Sequence, residues 1–140
     1  MAYDPSRRAT LLFGGSGDAG DARVWEWDGA SGTWLDRTRT PMPRAWPVTR
    51  DSPGMVRDAG RGRIIMFGGF RITHLRELWQ WIGDGLLWSD MMPLLPSGAW
   101  PPARAGHAMA YDARRRAVVV FAGQDENWKP LDDVWELPSP

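Results

Sequence analysis

The sequence predicts an all-β chain made of about three copies of one four-stranded antiparallel unit, and three observations predict it. Sliding the 140 residues against themselves gives one dominant offset, 54. Each copy holds short runs of β-branched and aromatic residues bounded by Asp and Gly, the composition of strands and tight turns. Nine of the ten tryptophans recur at fixed places within the copies. A fixed period of roughly fifty residues marks a repeat architecture and governs every later assignment.

The register of the repeat is unambiguous. Met1, Met55 and Met109 align, as do Asp4, Asp58 and Asp112, then Phe13, Phe67 and Phe121, then Gly15, Gly69 and Gly123. Trp25, Trp27, Trp34 and Trp46 meet Trp79, Trp81, Trp88 and Trp100, with Pro47 over Pro101 and Arg50 over Arg104. In the third copy Val134, Trp135 and Glu136 match Val24, Trp25 and Glu26 only after two extra residues between Asp125 and Asp132. Insertions belong in loops.

Taken in order, each copy opens with a hairpin whose turn begins at the shared Asp. Its carboxylate can accept backbone N–H groups two residues on and so favours a tight turn in Asp4–Arg7, Asp58–Arg61 and Asp112–Arg115. The second strand, Thr10–Phe13, Arg63–Phe67 or Ala117–Phe121, is a short apolar run that suits burial on both faces. The third strand, Val24–Trp27, Leu78–Trp81 or Val134–Leu137, alternates so that Trp25 and Trp27 share one face with Glu26 on the other. A fourth carries Trp34 or Trp88. Leu75–Ile82 has some helical spacing, but its repeat partners assign it to a strand.

Composition narrows the functions open to such a chain. Leu, Ile, Val and Phe make up only 26 of 140 residues, yet the net charge is zero and the tryptophans supply large apolar area, so a folded core is expected. Seventeen basic residues balance 17 acidic ones at pI near 6.7, which argues against nucleic acid or an anionic membrane as partner. The absence of Cys excludes disulfides, a thiol nucleophile and a thiolate metal site, and no cofactor is implied. No apolar run approaches the roughly 20 residues of a membrane span, and Asp4, Ser6, Arg7 and Arg8 follow Met1 too closely for a signal peptide.

Four short antiparallel strands per unit of about 50 residues is the arithmetic of a β-propeller blade. The chain resembles a run of kelch repeats. The resemblance rests on the double glycines Gly14–Gly15 and Gly68–Gly69, reduced to Ala122–Gly123, on the Val24–Trp25 type of third strand, and on Trp34 and Trp88. The Arg-x-x-His start of a kelch unit survives as Arg104 and His107, with Arg50 and Pro53 one copy earlier. The resemblance implies a kelch-type propeller segment of about three blades, 1–54, 55–108 and 109–140, with the first and last incomplete. A propeller closes with roughly four to eight blades, so the segment either belongs to a longer propeller or joins a second chain head to tail in a six-bladed ring.

Function is expected on the loops. Connections after the second and fourth strands leave one face of the disc, which would carry Asp18, Asp21, Arg71, Thr73, His74, Asp125, Glu126, Asn127, Trp128 and Lys129 beside Arg39 and Arg44. Arg71, His74 and the Asp125–Lys129 stretch, Trp128 above all, break the repeat and are the candidate partner-binding residues. The repeated Trp25, Trp27, Trp34, Trp79, Trp81, Trp88 and Trp135 read as inter-blade core, and Trp46 and Trp100 as packing between blades. The glycine pairs read as turn-formers, since no helix follows to cradle a phosphate. His107 reads as a structural hydrogen-bonding residue, and Asp125, Asn127, Asp132 and Asp133 as solvated loop rather than a Ca²⁺ site. Kelch propellers generally bind proteins through such loops, which makes a non-catalytic scaffold for a protein partner the leading reading. The alternative is part of a kelch-like sialic-acid epimerase or oxidase completed by further blades, although the Tyr–Cys cofactor of galactose oxidase would need a Cys.

Overall fold

The computed structural model describes residues 1–15, 22–94 and 100–139. Three antiparallel sheets follow one another along the chain. The first contains β1 (Ala2–Asp4), β2 (Ala9–Phe13), β3 (Val24–Asp28) and β4 (Thr33–Asp36). The second contains β5 (Gly54–Asp58), β6 (Arg63–Phe67), β7 (Leu78–Ile82) and β8 (Leu87–Asp90). The third contains β9 (Ala108–Asp112), β10 (Ala117–Phe121) and β11 (Val134–Pro138). Copy one therefore supplies all four strands, with β1 shortened to three residues, whereas the third sheet has no fourth strand among the described residues. Two single 3-10 turns, Gly83–Gly85 and Met92–Leu94, are the helical elements among them.

The hairpin turns form as the shared Asp dictates. Asp4 accepts from the Ser6 N–H at 3.0 Å, Asp58 from Arg61 at 3.0 Å and Asp112 from Arg115 at 2.9 Å. Registers repeat as well: Trp27 lies opposite Trp34 and Trp81 opposite Trp88, with ring centroids 5.3 Å apart in both pairs. Within each sheet the strands sit in sequence order, and β5 lies beside both β1 and β9, so the first strands of the three leaflets stand together.

Two cores separate the leaflets. Leu11, Phe13 and Val24 of the first pack on Met55, Ile64, Met66, Trp79, Trp81 and Trp88 of the second. The other face of the second leaflet, Ile65, Phe67 and Leu78, packs on Val118, Val120 and Leu137 of the third, with Trp100 closing one end against Phe67. Adjacent residues of β6 thus enter different cores, which is the burial on both faces that its apolar run predicts. Trp46 and Trp100 sit at equivalent places in the two cores, Trp46 donating to the Ala22 carbonyl at 2.8 Å.

The inter-blade tryptophans need correction outside the second leaflet. Trp79, Trp81 and Trp88 are buried, but Trp34 is 44% exposed and Trp25 and Trp27 are half-buried. The reason is geometric: these side chains point to the face of the first leaflet that no other leaflet covers among the described residues. Glu26 takes the inward side instead, at 3% exposure, held by Arg7 (2.5 and 3.0 Å) and Arg37 (2.8 Å). Burial alone would raise the Glu26 pKa, and the hydrogen bonds and charges of the two arginines outweigh it, so the carboxylate stays ionised below its ordinary range. Trp135 is partly buried against the second core.

Candidate functional site

The loops leaving β2, β6 and β10 are tied to the connections between leaflets, as required for one common loop face. Asp51 and Phe70 exchange backbone hydrogen bonds at 2.7 and 2.8 Å, and Ala105 and Gln124 do the same at 3.1 and 2.9 Å one repeat later. Gly69, at φ +101°, lies so close to this connection that a Cβ would stand 2.9 Å from the Asp51 carbonyl oxygen. Ala122, which replaces the first glycine of the pair, still adopts φ +59°.

Buried arginines hold the loops after β6 and β10 from beneath. Arg104 is fully buried; its guanidinium grips Asp133 at 2.6 and 2.8 Å and the Ala122 carbonyl at 2.9 Å. Arg50 repeats the arrangement with Glu77 and the Gly68 carbonyl (3.1 Å). The Arg104 hydrogen bonds pull the Asp133 pKa down to about 2, against the contrary pull of burial. Asp133 is thus a loop anchor rather than a solvated loop acid, which corrects the sequence reading.

On this frame stands an aromatic cluster. Phe70 and His74 come from the loop after β6 and Trp128 from the loop after β10; the His74 ring is 5.2 Å from Phe70 and 4.9 Å from Trp128, and Phe70 and Trp128 are 5.1 Å apart. His74 is 7% exposed and its Nε2 has no hydrogen-bond partner, while Trp128 is 57% exposed. Trp128 holds φ +60°, a left-handed conformation that costs a bulky side chain roughly 1 to 2 kcal/mol. Asp125 secures it. The carboxylate accepts from the N–H groups of Asn127 (2.8 Å) and Lys129 (3.0 Å), and the Asp125 carbonyl accepts from the Trp128 N–H (2.9 Å).

The candidate residues therefore divide. His74 and Trp128 meet; Asp125 is spent on shaping its own turn; Arg71, Thr73, Glu126, Asn127 and Lys129 are exposed around the cluster's loops. Arg39 and Arg44 lie exposed on the long connection before β5, and Asp18 and Asp21 fall outside the described residues. Sequence reasoning missed Phe70 and Ile72, the latter 83% exposed on the same loop. Both break the repeat, standing where the third copy has Gln124 and Glu126, and that departure was the available signal.

His107 lies beneath this face, and the hydrogen bond expected of it does not form. Both ring nitrogens are buried without partners, and the ring packs 5.2 Å from Phe67. Burial, aided by the Arg104 charge, lowers its pKa to about 4 and keeps it neutral. No group of three or more potential metal ligands occurs among the described residues.

Leaflets of this build, tied by glycine-rich loops and faced with tryptophan, have the fold of kelch-type propeller blades. No family model matches the sequence. It is 28% identical over 142 residues to an F-box/kelch-repeat protein of Arabidopsis thaliana, aligning 91% of this chain with 28% of that one. Its structure is similar to that of YjhT, with a TM-score of 0.59 and 17% identity over 85% of this chain and 34% of YjhT. The chain thus spans about a third of the length of each of these two proteins. Among the described residues no helix is long and apolar enough to cross a membrane.

Proposed function

We propose that the chain is a binding scaffold that recognises a protein partner through its loop face, with Trp128 as the anchor. The observation that carries this reading is the pairing of exposure with strain at Trp128. A left-handed turn position ordinarily holds Gly or Asn, so a half-exposed indole kept there against its backbone preference stabilises the fold little and presents a large apolar surface outward. Tryptophan is also the commonest interface hot spot, and the exposed Ile72 and Arg71 extend the patch.

The test is an affinity comparison. With a partner captured on the immobilised chain and identified by mass spectrometry, Trp128→Ala should weaken its binding at least 30-fold, the scale of a hot-spot truncation. Asp84→Ala, in the turn between β7 and β8 at the opposite end of the sheets, should leave it unchanged. Equal affinity for wild type and Trp128→Ala would reject the loop face. A second kind of partner is a second copy of this chain, joined head to tail in a six-bladed ring; the observation favouring it is that the two outer leaflet faces are of opposite types, one tryptophan-faced and one carrying Phe121 and Val134.

A further inference from the structure

The chain contains two leaflet-to-leaflet interfaces built by one rule. In each, an arginine from the turn between the first two strands reaches the end of the third strand of the next leaflet. Arg7 donates to the Gly83 carbonyl at 3.2 Å, and Arg61 donates to the Pro138 carbonyl at 2.7 Å and the Ser139 hydroxyl at 3.1 Å. Arg7, Arg61 and Arg115 are repeat equivalents, as are Gly29, Gly83 and, after the two-residue insertion, Ser139. Among the described residues Arg115 reaches no following leaflet. It sits 54% exposed against Glu136, as Arg7 sits against Glu26, so the donor is already oriented.

The apolar faces obey the same rule. Phe13 and Phe67 are at most 2% exposed and Val24 and Leu78 fully buried, but their equivalents Phe121 and Val134 are 50% and 59% exposed. At the first interface Phe13 meets Trp88 edge-on at 5.2 Å. The equivalent of Trp88 in the first leaflet is Trp34, which with Met1, Thr10 and Trp27 lines an apolar hollow of about 320 Å³.

We infer that the third leaflet of one copy docks on the first leaflet of a second, Phe121 meeting Trp34 edge-on and Arg115 donating to the turn at Gly29. This rests on the head-to-tail reading and gives it a register. Each outer face is the complement of the other and not of itself, which dictates a heterologous contact, and two chains of three leaflets fall within the number that closes a ring.

The reading and the register are tested separately. Light scattering on the full chain should give twice 15.7 kDa; a monomer, or an open series of higher masses, would overturn the closed pair itself. The register is read by cross-linking, which the absence of native Cys makes unambiguous. A Cβ on Gly60 would lie 2.6 Å from that of Ser139, and the equivalents across the proposed contact are Arg114 and Gly29. Chains carrying Arg114→Cys and Gly29→Cys should form a covalent dimer only when mixed and oxidised. Arg115→Glu should weaken dimerisation at least tenfold while near-ultraviolet circular dichroism reports intact tryptophan packing. A wild-type dimer that neither cross-links through this pair nor responds to Arg115→Glu would overturn the register alone.

Discussion

The first and second leaflets carry the same tryptophans in the same registers, and their surroundings are opposite. Trp81 and Trp88 stack 5.3 Å apart and are 1% and 3% exposed; Trp27 and Trp34 stack at the same distance with Trp34 44% exposed. Local pairing therefore belongs to the leaflet, whereas burial belongs to its neighbour. An indole pair contributes its stacking wherever it sits, but the larger hydrophobic gain arrives only when a second leaflet removes it from water.

The largest expected effect breaks this comparison directly. Trp81→Ala should cost about 3 to 5 kcal/mol, as truncation of a fully buried aromatic does, whereas Trp34→Ala should cost about 1 kcal/mol in dilute protein. Chemical denaturation of the two variants side by side measures the gap; equal losses would mean that the outer face of the first leaflet is covered. If that face pairs with a second copy, the cost of Trp34→Ala should grow with protein concentration.

Acid should act first on the interface between the second and third leaflets. His107 is held neutral by burial with its pKa lowered to about 4 from 6.5, so the unfolded chain takes up a proton that the folded chain refuses. Stability contributed by the neutral ring is present above pH 6.5 and declines as pH falls from 6.5 to 4, by about 3 kcal/mol in all. His107→Gln should flatten that limb of a stability-against-pH profile, and an unchanged slope would show that another group titrates there. Asp133 acts lower: with its pKa at about 2, its contribution is lost as pH falls below 3.8.

Loop anchoring sets the next scale. Asp133→Asn weakens the grip of Arg104, and the loss of a charge-assisted pair to a buried guanidinium should cost about 2 kcal/mol by thermal melting. The smallest effect sharpens the contrast between anchor and display. Trp128→Asn relieves a left-handed strain and gives up an exposed ring, so stability should move by no more than about 0.5 kcal/mol while partner binding falls. A large loss of stability would reassign Trp128 to the core.

Most of the strand plan was legible because it is local. Asp at the head of each hairpin turn, the β-branched run of Ala117–Phe121 and the alternation of Val24–Asp28 encode turn and strand within a few residues, and repetition at 54 checks each assignment against its copies. The aromatic cluster was legible in part. His74 and Trp128 stand out as departures from the repeat, but 54 residues separate them, and nothing in either loop specifies that their rings meet at 4.9 Å. Phe70 escaped because it completes the cluster from within a backbone bridge to Asp51 that no short-range pattern announces.

By itself the sequence determined the leaflet: its strands, its turns and which residues share a face, since backbone conformation and alternation are set by neighbours along the chain. The tertiary structure decided which of those faces are dry. It put Glu26 inside and Trp34 outside, left His107 without a hydrogen-bond partner, and turned Asp133 from a surface acid into the counterion of Arg104. Repeat-equivalent residues have the same local chemistry and differ only in what is stacked against them, and stacking is a long-range fact that no single copy of the repeat contains.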